Sequence, residues 1–544
     1  MSCTKFGMSH FLPLLLLLHR VSMAKAFVPV FPVKVLGALS SASQPAIPKC
    51  RRYLRNFRSK SSHDTRDISL TASYAASEPF PSEEQESESI SIDSSTTPKG
   101  ATNSVAGATF SLMKAILGSG ILALPAGLSA ITDHPNMLWP ANAILITLGA
   151  LSAYTFSLYG RLAYLTGTQS LAEMWQRVQE TEKSPLISIA NFLYCFGCCL
   201  TFSLVIGDSI SSILQASFGQ MLSPWLLSRQ ASILAVTGTL LWPLCNLPSL
   251  AALAPVSIVG VIGSILSTLF VAFRCPALVP FSPYAVAGSG FLKGLPPTAQ
   301  PLFGTYNRIC SPAPLVLIAM ACVAWMAHFS APEFYHSLID KNEKGNKQDK
   351  VALKKYNQMT IAGYSAVAIL NIIMLSCGFL TFGGHCSGLI LNNYATGDIG
   401  ASLSRLLVAV SVIGGFPFLF NAGRSSALDL LNVTDSALPD KKVKTAKRNV
   451  TPGLFALITA VSLVVRDAGF VVSLNGALMG TSIIYIFPAL LFLKQTASGL
   501  VGRSKRGLGM ERWFCRFLVA FGGVSAVLGA ITSVLNSYFP HLLR

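Results

Sequence analysis

From about residue 101 the chain alternates between apolar runs of membrane-spanning length and short polar connections. About eleven runs are long enough, or nearly so, to cross roughly 30 Å of hydrocarbon as helices. They cover approximately 104–131, 138–165, 187–217, 230–246, 251–273, 314–339, 358–383, 402–424, 453–473, 476–496 and 514–538. The fourth is the shortest and ends in Trp242-Pro243-Leu244-Cys245. The pattern predicts an all-α membrane protein with about 11 transmembrane helices over residues 103–540.

The connections test this reading. Lys341, Lys344, Lys347, Lys350, Lys354 and Lys355 follow the sixth run. Lys441, Lys442, Lys444, Lys447 and Arg448 follow the eighth, and Arg503, Lys505, Arg506 and Arg512 follow the tenth. The intervening loops are poor in positive charge: Lys293 and Arg308 after the fifth, none after the seventh before Arg405, and Arg466 after the ninth. Such alternation is the positive-inside pattern, with the N-terminus on the positive side. Asn432 and Asn449 begin N-x-T sequons but fall in a positive-side loop, so they read as unused.

Composition agrees. Hydrophobic residues make up 51% of the 544 and charged residues 12%, about half the charged share of a soluble chain. The formal charge of +18 does not indicate nucleic acid, because Lys and Arg sit in loops and in the N-terminal extension rather than on one folded face. Cys195, Cys198 and Cys199 lie at helical spacing inside an apolar run without nearby His or Asp, so they read as a packed helix surface, and no metal site is expected. Cys275 and Cys310 bracket a long loop and could pair in an oxidising compartment. Arg405 and Arg424 lie near span ends, where snorkelling is the plain expectation.

The first 102 residues read as an address and a spacer. Phe11–Leu18 is a short apolar run between Lys5 and Ala24-Lys25-Ala26, which predicts a signal peptide over 1–26. Residues 27–71 are rich in Ser and basic residues, with Asp64 and Asp67 the only acids, as in an organellar transit peptide. Ala24-Lys25-Ala26-Phe27-Val28-Pro29 resembles the cleavage motif of bipartite plastid-targeting leaders in algae with secondary plastids. That resemblance implies a plastid-associated membrane, with a signal anchor and an endomembrane location as the alternative. Residues 72–102, acidic and Ser-rich, predict a disordered linker.

The most informative stretch is Gly118-Ser119-Gly120-Ile121-Leu122-Ala123-Leu124-Pro125, in the middle of the first run. Backbone freed from a helix inside a membrane is tolerated where it lines a protein cavity. A half-helix end there offers amide N–H groups to a carboxylate. This segment resembles the first-span signature of the amino acid/auxin permease family, of neutral and vacuolar amino acid transporters. Ile206-Gly207-Asp208, Trp242-Pro243-Leu244, Ala327 to Tyr335, Gly378 to Gly383, Ile390-Leu391-Asn392, and Phe416-Pro417 with Arg424-Ser425 resemble further family motifs, in order, over about 103–500. The resemblance implies a leucine-transporter-like fold, two inverted five-helix repeats plus one helix, with a central site between the first and sixth spans. Carried over, it implies that the backbone of Gly118, Ser119 and Gly120 holds a substrate carboxylate. Carbonyls near Ile116, Ala324 and Trp325 would take the ammonium, and Trp325 and Met326 would line the side-chain pocket.

Lys114 departs from the family, whose sodium-coupled members usually carry Asn there. It lies about 15 Å into the span, where an ionisable residue is a functional hypothesis by default. A fixed ammonium could occupy the place of a coupling cation or exchange a proton, which predicts sodium-independent transport. The alternative pairs Lys114 with Asp208. Asp208 and His328 are the other coupling or proton-relay candidates, His328 alternatively a hydrogen-bonding helix residue. The sequence thus predicts a secondary amino acid transporter working by alternating access, not an enzyme. It predicts no cofactor beyond a coupling proton, and an amino acid and the lipid bilayer as partners, with oligomeric state open. A transporter-fold sensor without flux, or a carrier of another small organic solute, is the competing reading.

Overall fold

The computed structural model describes residues 104–180, 185–247, 254–285, 290–339, 346–431, 440–497 and 505–539. The signal, transit and linker segments lie outside the described residues, as does Asn432.

Among the described residues the architecture is helical, with two isolated bridges between loops in place of a sheet. The helices include α1 (Val105–Ile116), α2 (Leu124–Ser129), α3 (Leu138–Thr166), α4 (Pro185–Phe218), α5 (Arg229–Val236), α6 (Ala254–Arg274), α7 (Pro314–Ala324), α8 (Ala331–Ser337), α9 (Asn346–Phe382), α10 (Ile399–Leu430), α11 (Asp440–Val464), α12 (Ala468–Ala497) and α13 (Lys505–Tyr538), with shorter helices in the connections, among them Leu171–Gln179. Seven helical stretches are long and apolar enough to cross a membrane by length and composition, and α1 with residues Ser119–Ser129 forms an eighth, bent by 48°. The runs expected as fourth, fifth and ninth are helical but shorter.

One boundary differs from the sequence expectation. The break expected between residues 473 and 476 falls instead at Val465–Asp467. Asp467 accepts a hydrogen bond from the Gly469 amide at 2.8 Å and caps a new helix there. Gly476 is absorbed by a wide π turn, Gly476–Gly480, followed by a second, Ser482–Ile486. A third π turn, Thr237–Leu241, continues α5.

The arginines near the span ends do not snorkel. Arg405 is 1% exposed. Its Nη2 donates to the carbonyls of Leu391 (2.8 Å) and Tyr394 (2.6 Å), and the Leu391 carbonyl also accepts from the Tyr394 amide at 3.3 Å where the short 3₁₀ turn Ile390–Asn393 ends. Arg424 is buried, donates to Thr451 Oγ1 and lies over the Phe420 ring.

In the bundle, α10 lies between α4 and α6, and α9 lies against α1 and α3. Loops close one face. Leu302 bonds the end of α9 through Phe382 O and Gly384 N, and Asp133 accepts from the Tyr306 amide. Gly383 ends α9 at φ +61°, and a Cβ there would run into the Leu302 carbonyl. Gly383→Ala is therefore expected to destabilise the fold by about 1–3 kcal/mol, through a strained backbone and a clash with fixed main chain. A lower thermal-unfolding midpoint in detergent would show it.

Candidate functional site

The first helix breaks where the glycines predict. α1 ends at Ile116, Leu117 turns out of the helix at ψ 78°, and Gly118 is extended before the 3₁₀ turn Ser119–Ala123 leads into α2. The first N–H groups of a helical segment have no partner within it, so the break presents donors in mid-membrane. Gly118 is exposed, and a Cβ built on it would meet nothing within 4 Å. The next seven residues, Ser119 to Pro125, are all buried.

A second break follows α7. Trp325 closes that helix, Ala327 leaves helical geometry at φ −146°, ψ 4°, and the 3₁₀ turn His328–Ser330 leads into α8. The two breaks touch. A Cβ on Gly120 would lie 2.9 Å from the Ala324 amide nitrogen and 3.0 Å from the Val323 carbonyl carbon. Backbone approaches backbone here because position 120 carries no side chain.

The structure thus brings Ile116, Gly118, Ser119, Gly120, Ala324, Trp325, Met326 and His328 into two adjoining stretches. Trp325 and Met326 are both buried. The Trp325 ring stacks on Tyr364 (centroids 5.9 Å apart, 18°), whose hydroxyl donates to the Trp325 carbonyl at 3.3 Å. Its other side rests on α3, where a Cβ on Gly149 would come within 2.6 Å of the indole. Trp325 Nε1 is buried without a hydrogen-bond partner among the described residues.

His328 is fully buried beneath the break. Its Nε2 lies 3.0 Å from the Ser152 carbonyl and 3.0 Å from Thr155 Oγ1. A carbonyl accepts and does not donate, so Nε2 carries the hydrogen and Nδ1 is the acceptor. Nδ1 has no partner among the described residues. The rings of Phe156, Tyr159 and Tyr364 pack against the imidazole in T-shaped arrangements.

Lys114 and Asp208 part company. Lys114 Nζ stands 5.0 Å from the centroid of the Phe418 ring on α10, a cation–π arrangement one turn before the break. Asp208 pairs with Arg229 at 2.9 Å and accepts a hydrogen bond from Asn392 at 2.9 Å. The alternative pairing of Lys114 with Asp208 is therefore not what the fold makes.

Sequence reasoning missed the supports of Trp325. Gly149 beside Ala150 in mid-span was a signal of close approach, and Tyr364 was a polar aromatic in an apolar run. The suggested Cys275–Cys310 disulfide is not formed. Cys275 is buried against Cys377, and Cys310 is exposed and free. A separate open cavity of about 670 Å³ lies between residues 283–296 and 392–397 and includes none of the residues expected at the site.

Broken helices meeting backbone to backbone inside a multi-pass helical bundle define a membrane protein of the transporter class. Residues 101–532 match the sequence model of the family described as transmembrane amino acid transporter protein. The chain belongs to that family. Sodium-coupled neutral amino acid transporter 7 of Rattus norvegicus is similar to it, 24% identical over 463 residues, covering 82% of this chain and 90% of the other. The Xenopus laevis protein of the same name is 23% identical over 437 residues, covering 78% and 87%. Among solved structures, a crystal structure of MhsT in complex with L-phenylalanine is similar at a TM-score of 0.46 and 15% identity, covering 78% of this chain and all but 2% of that one (98%).

Proposed function

We propose that this amino acid transporter moves its substrate by alternating access around the two helix breaks, without sodium. The contact between Gly120 and Ala324, beside the open space at Gly118, carries the reading. It pairs a break in the first span with one in the sixth, the pairing an inverted five-helix repeat would generate.

The backbone of Gly118, Ser119 and Gly120 receives the carboxylate through the Ser119 and Gly120 N–H groups at the helical start, the Gly118 N–H being given to the Ile116 carbonyl at 2.9 Å. Carbonyls at Ile116, Ala324 and Trp325 accept from the ammonium, and Trp325 and Met326 border the substrate's side chain. His328 positions the second break through Ser152 and Thr155. No step requires covalent chemistry or a cofactor.

Lys114 supports sodium independence. Its ammonium lies between α1 and α10 over Phe418, and among the described residues no carboxylate pairs with it. A fixed positive charge there takes the place of a mobile cation, leaving facilitated exchange or proton coupling. The names of the similar proteins favour a second reading, sodium coupling.

Uptake of a panel of labelled amino acids into proteoliposomes, with and without sodium and a pH gradient, separates the two. Uptake by the parent chain is expected to be indifferent to sodium. Lys114→Asn is expected to lower that uptake roughly tenfold, as removal of a functional intramembrane charge does. A sodium requirement in the parent protein sinks the proposal, and binding without flux points to a sensor. A plastid-associated membrane remains our reading of the leader, and imaging of a tagged leader tests it.

A further inference from the structure

Two of the short motifs in the chain, Ile206-Gly207-Asp208 and Ile390-Leu391-Asn392, have no part in the site. The fold brings them together. Asn392 Nδ2 donates to Asp208 Oδ2 at 2.9 Å, while Asp208 Oδ1 pairs with Arg229 Nε at 2.9 Å. Arg229 Nη1 in turn donates to the Arg466 carbonyl, at 2.7 Å, in the connection between α11 and α12. The turn bearing Asn392 is gripped from α10 by Arg405 through the Leu391 and Tyr394 carbonyls. One carboxylate thus joins α4, α5 and the 390–393 turn on the charge-poor face.

The members of this cluster differ in what they can do. Asp208 and Arg229 belong to helices consecutive in the chain, so their ion pair ties neighbours together. Asn392 sits on a turn, its side chain is exposed, and its bond to Asp208 crosses between segments 184 residues apart. Water can replace that bond, whereas it cannot reach the carboxylate of Asp398, which is 1% exposed and held by Arg274 through two bonds. The state of the site agrees with a closed charge-poor face. Ser119 to Pro125, on that side of the first break, are all buried, while Gly118, next to the positive-side half-helix, is exposed.

We infer that the Asp208–Asn392 hydrogen bond latches the 390–393 turn over the charge-poor face, and that its release opens the site to that side. This rests on the alternating-access reading above, and the test keeps the two apart.

Asp208→Cys with Asn392→Cys, in a Cys310→Ser background, is reconstituted and treated with a short bis-methanethiosulfonate cross-linker, because a tip-to-tip hydrogen bond leaves the two Cβ atoms too far apart for a direct disulfide. A cross-link identified by mass spectrometry is expected, with uptake reduced at least about tenfold and restored by a thiol reductant, as for a carrier held in one of two states. A cross-link with unchanged uptake, or no cross-link, overturns the latch. Because Asp208→Cys also strips Arg229 of its partner, Asn392→Ala at its exposed position supplies a second reading. It is expected to speed labelling of a Ser119→Cys reporter by an impermeant maleimide, added on the charge-poor face, by about threefold or more. Unchanged labelling overturns the latch whether or not flux is detected, whereas absence of flux from the parent chain overturns the transport reading and leaves the labelling result standing.

Discussion

Gly120→Ala is expected to reduce amino acid uptake to background and to lower the thermal midpoint of the purified protein. The added methyl would lie 2.9 Å from the Ala324 nitrogen and 3.0 Å from the Val323 carbonyl carbon. Both are main-chain atoms, so neither can turn aside as a side chain would, and the breaks must separate. Overpacking of this kind costs about 1–3 kcal/mol. Its functional effect should be larger, because the half-helix ends have to converge on one small molecule. Gly118→Ala is the matching control. Its methyl meets nothing within 4 Å, so melting should be unchanged while uptake falls through occupation of the substrate's space. Equal loss of stability in the two variants, or full uptake in Gly120→Ala, would contradict the assignment of the breaks as the site.

The largest expected effect on stability lies elsewhere. Arg274 holds Asp398 with Nε at 2.9 Å and Nη2 at 2.8 Å, and Asp398 is 1% exposed. The same carboxylate caps α10 through the Gly400 amide and accepts from the Tyr284 hydroxyl at 3.3 Å. Burial pushes the Tyr284 phenol up from its ordinary ionisation range, so it remains a donor. Removing one partner of a buried ion pair typically costs about 3–5 kcal/mol. Arg274→Ala should fall near the lower end, about 3 kcal/mol, because the guanidinium is 29% exposed and water can partly replace it. Arg274→Lys keeps the charge but loses the fork and should lie between. Thermal unfolding of the three proteins in one detergent measures this, and an Arg274→Ala protein as stable as the parent would show that Asp398 needs no countercharge.

How much of this was legible in the sequence depended on the range of the interaction. The first break could be read because its cause is local: Gly118 and Gly120 flank Ser119, and Pro125 follows. The all-helical class and the loop-charge alternation were legible because each depends on runs of residues along the chain. The boundary at Asp467 was misread because an Asp cap and a Gly absorbed by a π turn look alike in a hydrophobicity profile. Side-chain partners were the least legible. Asp208 was the obvious carboxylate partner for Lys114, but each met something nearer in space, Phe418 and Arg229. Arg405 looked like a snorkelling residue until the fold placed the Leu391 and Tyr394 carbonyls beside it. Trp325 was picked out through the family resemblance, but the glycine that receives its ring is on another helix.

The two wide turns of α12, Gly476–Gly480 and Ser482–Ile486, bear on how the length of this chain can drift. A π turn holds one residue more than the α turn it replaces. It absorbs an inserted residue without the rotation of about 100° that an extra residue imposes on the rest of an ordinary helix. A related chain one residue shorter between positions 476 and 486 would keep the Asp467 cap and the Phe487–Ala497 helix on the same faces. Insertions and deletions are usually confined to loops; here a membrane-buried helix beside α7 carries a place where one can be taken up.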